Sequence, residues 1–230
     1  MPPRNLFARL VTQTLASLAV MGGLLFGPAG DARWPQAWAF LAIFAGATAV
    51  FAMFLWRRDP GLLAERLGGL SRKGQSRWDR LFMIGAVLAW CLWLALMALD
   101  ARRWQLSHVP VWLNVAGGLL IAAGFAATLP VFAANSFAAP VVRLQSERGQ
   151  HLIDTGPYAL VRHPMYAAAM LYLIGMPLLL GSWLGLGAVP FLIAALTPRI
   201  FREESFLARE LPGYADYMTR VRWRLVPFVW

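Results

Sequence analysis

Charge is scarce in this chain. Charged residues make up 14% of its 230 positions, whereas a soluble domain carries about 25%. A soluble domain of this length could bury a good core, but it would need a more charged surface. Cysteine is nearly absent. Cys91 is the only one, which excludes a disulfide framework and a CxxC metal pattern; inside an apolar run it reads as a small core or lipid-facing residue. Lysine is reduced to Lys73, and histidine to His108, His151 and His163. His151 and His163 have no cysteine beside them, so no metal site is expected. No GxGxxG follows a predicted strand, which removes the fingerprint of a soluble dinucleotide fold.

What is present is oil. Hydrophobic residues reach 59%, gathered in five stretches at roughly 6–27, 36–56, 81–99, 111–134 and 165–197. The first four are each close to the ~20 residues that span a bilayer as a helix. The first, preceded by Arg4 and Arg9, has no clean cleavage site after it and reads as a retained anchor rather than a signal peptide. The fifth would be about 50 Å long as one helix, too long for a hydrocarbon core of about 30 Å. Its "LLLGSWLGLG" invites a break, giving either a hairpin, with helices near 165–180 and 184–204, or one kinked helix. The expected fold is all-α: a polytopic membrane bundle of four transmembrane helices plus a C-terminal helical hairpin. It divides into N-terminal transmembrane helices (1–134) and a C-terminal core with a basic tail (135–230). The 57–80 loop should hold a short interfacial helix, with Leu62, Leu63 and Leu67 at a headgroup boundary.

The net charge of +10 could suggest nucleic acid, but its distribution argues otherwise. The N-terminus, 57–80, 135–164 and the tail hold 18 of the 21 Lys and Arg residues; 28–35 and 100–110 hold the remaining 3. That bias places both termini in the cytoplasm, and the bacterial inner membrane is the expected setting. The basic residues then serve topology and anionic headgroups, not nucleic acid.

Two segments on the basic side carry unusual polar chemistry. In "GPYALVRHPMY" (156–166), Pro164 suits the first turn of a helix. Arg162 and His163 would then sit among free backbone N–H groups, an arrangement suited to a carboxylate or phosphate. An interfacial anchor explains the same residues equally well. In "RIFREESFLARELPGYADY" (199–217), Arg199 and Glu203 share a helical face with Leu207. They form either a weak surface ion pair or the wall of a polar pocket; periodicity does not separate the two.

"HLIDTGPYALVRHPMYAAAMLYLIGMPLLLGSW" followed by "RIFREESFLARELPGYADYMTRVRWRLVPFVW" resembles the isoprenylcysteine carboxyl methyltransferase family and the related phospholipid methyltransferases. The likeness runs from about Arg143 to Trp230, and "LLAERL" and "RWDR" in the 57–80 loop also look like bacterial members. It implies a membrane-embedded enzyme using S-adenosyl-L-methionine without a Rossmann domain. Carried over by position, His151, Leu152, Ile153, Asp154, Tyr158, His163, Pro164, Met165 and Tyr166 would line the cofactor, with Arg143 upstream. Arg199 and Glu203 match the family's substrate-side pair and would be the catalytic and acceptor-binding residues. Ala167 and Ala168 stand where members often have glycine. The implied acceptor is lipophilic: an isoprenylcysteine-type carboxylate, a small thiol, phenol or amine, or a phospholipid headgroup. A non-enzymatic scaffold or a transporter with a broken helix are the rival classes; a transporter should show two matching halves, and only the C-terminal part here is polar within the membrane.

Overall fold

The computed structural model describes residues 5–69 and 74–230. Among them are eight α-helices: α1 Leu6–Ala29, α2 Pro35–Arg58, α3 Pro60–Arg66, α4 Arg77–Ala98, α5 Val111–Ala134, α6 Pro164–Leu180, α7 Trp183–Glu210 and α8 Tyr214–Arg220. Five of them, α1, α2, α4 with its following turn, α5 and α7, are long and apolar enough to cross a membrane; α6 is apolar but shorter. Arg4, Arg72 and Lys73, counted above for orientation, lie outside the described residues.

The fifth apolar stretch is a hairpin, not a kinked helix. α6 stops at Gly181, whose φ of 85° is left-handed, a conformation that costs glycine little. Its N–H donates to Pro177 O at 2.9 Å, and Ser182 N–H to the same carbonyl at 2.8 Å, which closes the orphan carbonyls of the helix end. Ser182 then caps α7, its hydroxyl accepting from Gly185 N–H at 2.8 Å. The turn is tied to the end of α4, where the chain widens into a π-helical turn at Leu99–Arg103. There the fully buried Asp100 carboxylate accepts from the hydroxyls of Ser107 (2.6 Å) and Ser182 and from Leu184 N–H (3.3 Å).

Helices α5 and α6 touch backbone to backbone. A Cβ added to Gly175 would stand 2.6 Å from Gly117 O, and one added to Gly124 would stand 2.9 Å from Ala168 O. Small residues let membrane helices approach this closely, where lipid supplies no hydrophobic drive between them. Ala168 is therefore accommodated by a glycine on the facing helix. The main core joins Met21, Trp34, Phe40, Trp93, Met97, Ile121, Met176 and Val189, so it draws on both sides of residue 134. Large apolar side chains such as Leu15, Leu92, Leu119 and Phe191 point outward, as a lipid-facing surface requires.

Alternating helix directions gather residue 5, α3, 135–163 and the tail at one mouth of the bundle. The opposite mouth holds Asp31, Arg102, Asp100 and the 181–182 turn. Ion pairs and hydrogen bonds join neighbours within each mouth: Arg102 to Asp31 at 2.6 Å at one, Arg9 and Gln13 to Leu67 O at 2.7 and 3.0 Å at the other. α3 exists as expected, but its leucines do not face a headgroup boundary. Leu62 and Leu63 are buried with Leu6, Leu55, Phe132 and Ala138, so α3 plugs the mouth instead of lying on it.

Candidate functional site

At 28 residues, α7 is about 42 Å long, more than a bilayer core. Its last turns therefore project past the apolar layer and meet the start of α6, α8 and the long 135–163 connection. Together these enclose a cavity of about 300 Å³, at the small end of ligand sites.

The connection is irregular but cross-braced. Asn135 ends α5; its Oδ1 accepts from Phe137 N–H at 2.8 Å and its Nδ2 donates to the Tyr158 hydroxyl at 2.8 Å. Gln145 donates from Nε2 to Phe137 O at 2.9 Å and accepts from Arg148 at 2.7 Å. Arg143 pairs with Glu65 at 3.1 Å and Glu147 at 2.7 Å. Burial opposes its charge, but these two carboxylates hold its pKa above the ordinary arginine value. Tyr158 is also fixed from behind, its carbonyl accepting from the Tyr217 hydroxyl at 2.7 Å. Burial pushes the Tyr158 hydroxyl up to about 12, against the lowering effect of its Asn135 bond, so the phenol stays neutral at any physiological pH.

The start of α6 is locked to the tail. Arg162 and His163 donate their backbone N–H groups to Trp223 O and Arg224 O, both at 2.9 Å. Their side chains converge with Arg224 on one buried carboxylate, Glu204: Arg162 Nε at 2.8 Å, Arg224 Nε at 3.0 Å and His163 Nε2 at 3.2 Å. Arg162 also donates to the carbonyls of Met218 and Val221. The expected anion site at Arg162 and His163 is thus already filled from within the chain. The sequence reading passed over Glu204 because one helix wheel does not show what packs against each face.

Tyr166 stacks on His163, ring centres 5.5 Å apart, and donates its hydroxyl to Glu203 at 2.8 Å. Arg199 and Glu203 are not partnered with each other. Arg199 lies 3.4 Å from Asp79 of α4, donates to Pro140 O, and rests over the Phe82 ring at 5.2 Å.

Arg143, His151, Leu152, Ile153, Tyr158, His163, Pro164, Met165, Tyr166, Arg199 and Glu203 all line the cavity. Asp154 does not; it faces outward and pairs with Arg220 of α8 at 2.8 Å, because the turn before Gly156 carries it away. The lining also includes Arg66, Asn135, Phe137, Tyr172 and Tyr214, which sequence reasoning missed. Arg66, Tyr172 and Tyr214 sat in stretches already quoted, but nothing local to those stretches assigned them a role. A second, apolar cavity of about 520 Å³ opens among α1, α2, α4, α5 and α6, and Tyr172 lines both.

Residues 112–212 match the family model of the phospholipid methyltransferases. The matched segment takes in the whole 135–163 connection, the hairpin and the carboxylates of α7, and the match supports a membrane methyltransferase. A 78-residue stretch is 30% identical to the cobalt-zinc-cadmium resistance protein CzcN of Cupriavidus metallidurans, covering 34% of this chain and 36% of that protein. Another alignment of 78 residues is 27% identical to the nickel-cobalt-cadmium resistance protein NccN of Alcaligenes xylosoxydans xylosoxydans, covering 34% of this chain and 37% of that protein. The matches thus span little more than a third of these curated relatives. Among the described residues no group of three or more His, Cys, Asp or Glu is placed to hold a metal ion.

Proposed function

We propose that this protein transfers a methyl group from S-adenosyl-L-methionine to a lipophilic acceptor at the cytoplasmic mouth of the membrane. The observation that carries the reading is the polar cavity at one mouth, adjoined through Tyr172 by an apolar cavity within the bundle; most of the polar cavity's lining belongs to the segment that matches the phospholipid methyltransferases. The lining fits the donor: aromatic faces and the Glu203 carboxylate suit a cation, and the loop offers backbone groups to an adenosyl moiety. When bound, the donor supplies a methyl group activated on a cationic sulfur; the protein's part is alignment and a dry site.

Tyr166, held between His163 and Glu203, presents its ring to the cavity. Glu203 balances positive charge there and takes a proton from a thiol, phenol or amine acceptor; a carboxylate acceptor needs no base. Arg199, pinned by Asp79 and Pro140 O, positions the α7 wall. The apolar cavity suits an acceptor's hydrocarbon tail. A phospholipid headgroup amine is the second reading, favoured by the family match. The test is methyl transfer from labelled S-adenosyl-L-methionine, in nanodiscs, to a panel of prenylated carboxylates, lipophilic thiols, phenols and phosphatidylethanolamine. Transfer to at least one is expected; no transfer, together with no donor binding by calorimetry, would sink the reading.

A further inference from the structure

Four arginines line the polar cavity: Arg66, Arg143, Arg162 and Arg199. Three are balanced by carboxylates that stand outside its lining, Arg143 by Glu65 and Glu147, Arg162 by Glu204, and Arg199 by Asp79. Arg66 differs. Its Nη1 donates to Ala138 O at 2.8 Å and reaches the Met165 sulfur at 3.8 Å; the guanidinium stands 4.6 Å from the centre of the Phe132 ring. These contacts hold the group without cancelling its charge. Among the described residues no carboxylate pairs with it, and its Nε and Nη2 make no hydrogen bond.

Its placement is built in. Leu62 and Leu63, one helical turn earlier on α3, are buried in the cluster that plugs the mouth, so the turn carrying Arg66 is held at the cavity wall. Burial pushes its pKa down, and the tyrosine fields that oppose this are weaker. A guanidinium remains charged even so. A desolvated cation without a counter-ion is costly, and the planar fork matches a carboxylate or phosphate. Glu203 is the complement: it accepts from Tyr166 at 2.8 Å and has no cation paired with it among the described residues. The cavity therefore keeps one unbalanced charge of each sign.

We infer that Arg66 binds the anionic group, a carboxylate or a phosphate, of a ligand held in this cavity. The inference deepens the methyltransferase reading and rests on it in part. The anion has two possible sources, the methyl donor's carboxylate or an acidic acceptor, and three ligand pairs separate them. They are S-adenosyl-L-methionine against its decarboxylated form, farnesylthioacetic acid against its methyl ester, and farnesyl phosphate against farnesol. Each is titrated by calorimetry into the full chain in nanodiscs, for wild type, Arg66→Gln and Arg66→Lys.

Wild type should prefer the charged member of at least one pair by tenfold or more. Arg66→Gln should erase that preference, and Arg66→Lys should keep part of it, which also controls for folding. Loss confined to the first pair assigns the anion to the donor; loss in a farnesyl pair assigns it to the acceptor. No preference in wild type for any pair, or a preference that survives Arg66→Gln, overturns the proposal. If wild type binds neither adenosyl ligand yet shows an Arg66-dependent preference for a farnesyl acid, the methyltransferase reading falls and the Arg66 site stands.

Discussion

At the scale of single residues, the site is a set of charges whose partners decide their roles. Arg199 and Glu203 sit one turn apart, yet their contacts differ, and so should their variants. Removing Arg199 leaves Asp79 buried without its cation, so Arg199→Ala should lose both turnover and stability; breaking a buried pair costs about 3–5 kcal/mol. Glu203 has one tyrosine hydroxyl on it, so Glu203→Ala should melt close to wild type while single-turnover rate falls about a hundredfold. Turnover of Glu203→Ala within a few fold of wild type would remove its catalytic assignment. Glu204 answers two arginines and the His163 imidazole, and Glu204→Ala should lower the melting temperature more than any other substitution at this mouth. His163 joins that carboxylate to the Tyr166 ring, so His163→Ala should weaken S-adenosyl-L-methionine binding in calorimetry; unchanged affinity would reduce it to a structural link. Tyr158 carries a pH signature. Its folded pKa of about 12 exceeds the unfolded value of about 10, so the folded state holds the proton longer. Stability should be unaffected by this group below pH ~10 and fall between pH ~10 and ~12, a slope that Tyr158→Phe should flatten.

At the scale of elements, two devices set the position of the site without touching it. The first is the glycine contact of α5 with α6. Gly175→Leu would drive a side chain into the Gly117 carbonyl, and because the obstacle is backbone it cannot turn aside. Overpacking of this kind costs about 1–3 kcal/mol; the expected result is a lower melting temperature and lost turnover with every site residue intact. The second is the Asp100 knot at the far mouth. Asp100→Ala strips three donors of their acceptor, each worth about 1–3 kcal/mol when left buried. Because Asp100 is remote from the cavity, donor affinity in the fraction that folds should match wild type.

At the scale of the whole molecule, the prediction is orientation. The basic residues concentrate at the mouth that carries the cavity, and that mouth should face the cytoplasm. In a Cys91→Ala background, a cysteine at Arg77 should be labelled by an impermeant reagent only after the membrane is opened, and one at Leu106 should be labelled from outside. The reverse pattern would invert the topology and move the cavity to the other compartment.

The sequence by itself determined the class and the stage. Apolar length and scarce charge dictate a helical bundle, because lipid leaves backbone groups no partner but their own helix. The glycines of "LLLGSWLGLG" mark a break, which the fold resolves as a hairpin at Gly181 and Ser182, and "GPYALVRHPMY" marks where polar chemistry collects. Those are local properties, written in composition, length and neighbouring residues. The pairing of charges was decided only in three dimensions. Glu203 and Glu204 are adjacent in sequence, yet one faces the cavity with a tyrosine and the other is consumed by Arg162, His163 and Arg224. Asp154, inside the motif, is turned outward to Arg220, while Arg66, seventy-seven positions before Arg143 and on another element, is brought to the same wall. Each outcome depends on which helix face packs against which segment far away in the chain, and periodicity along one element carries no record of that.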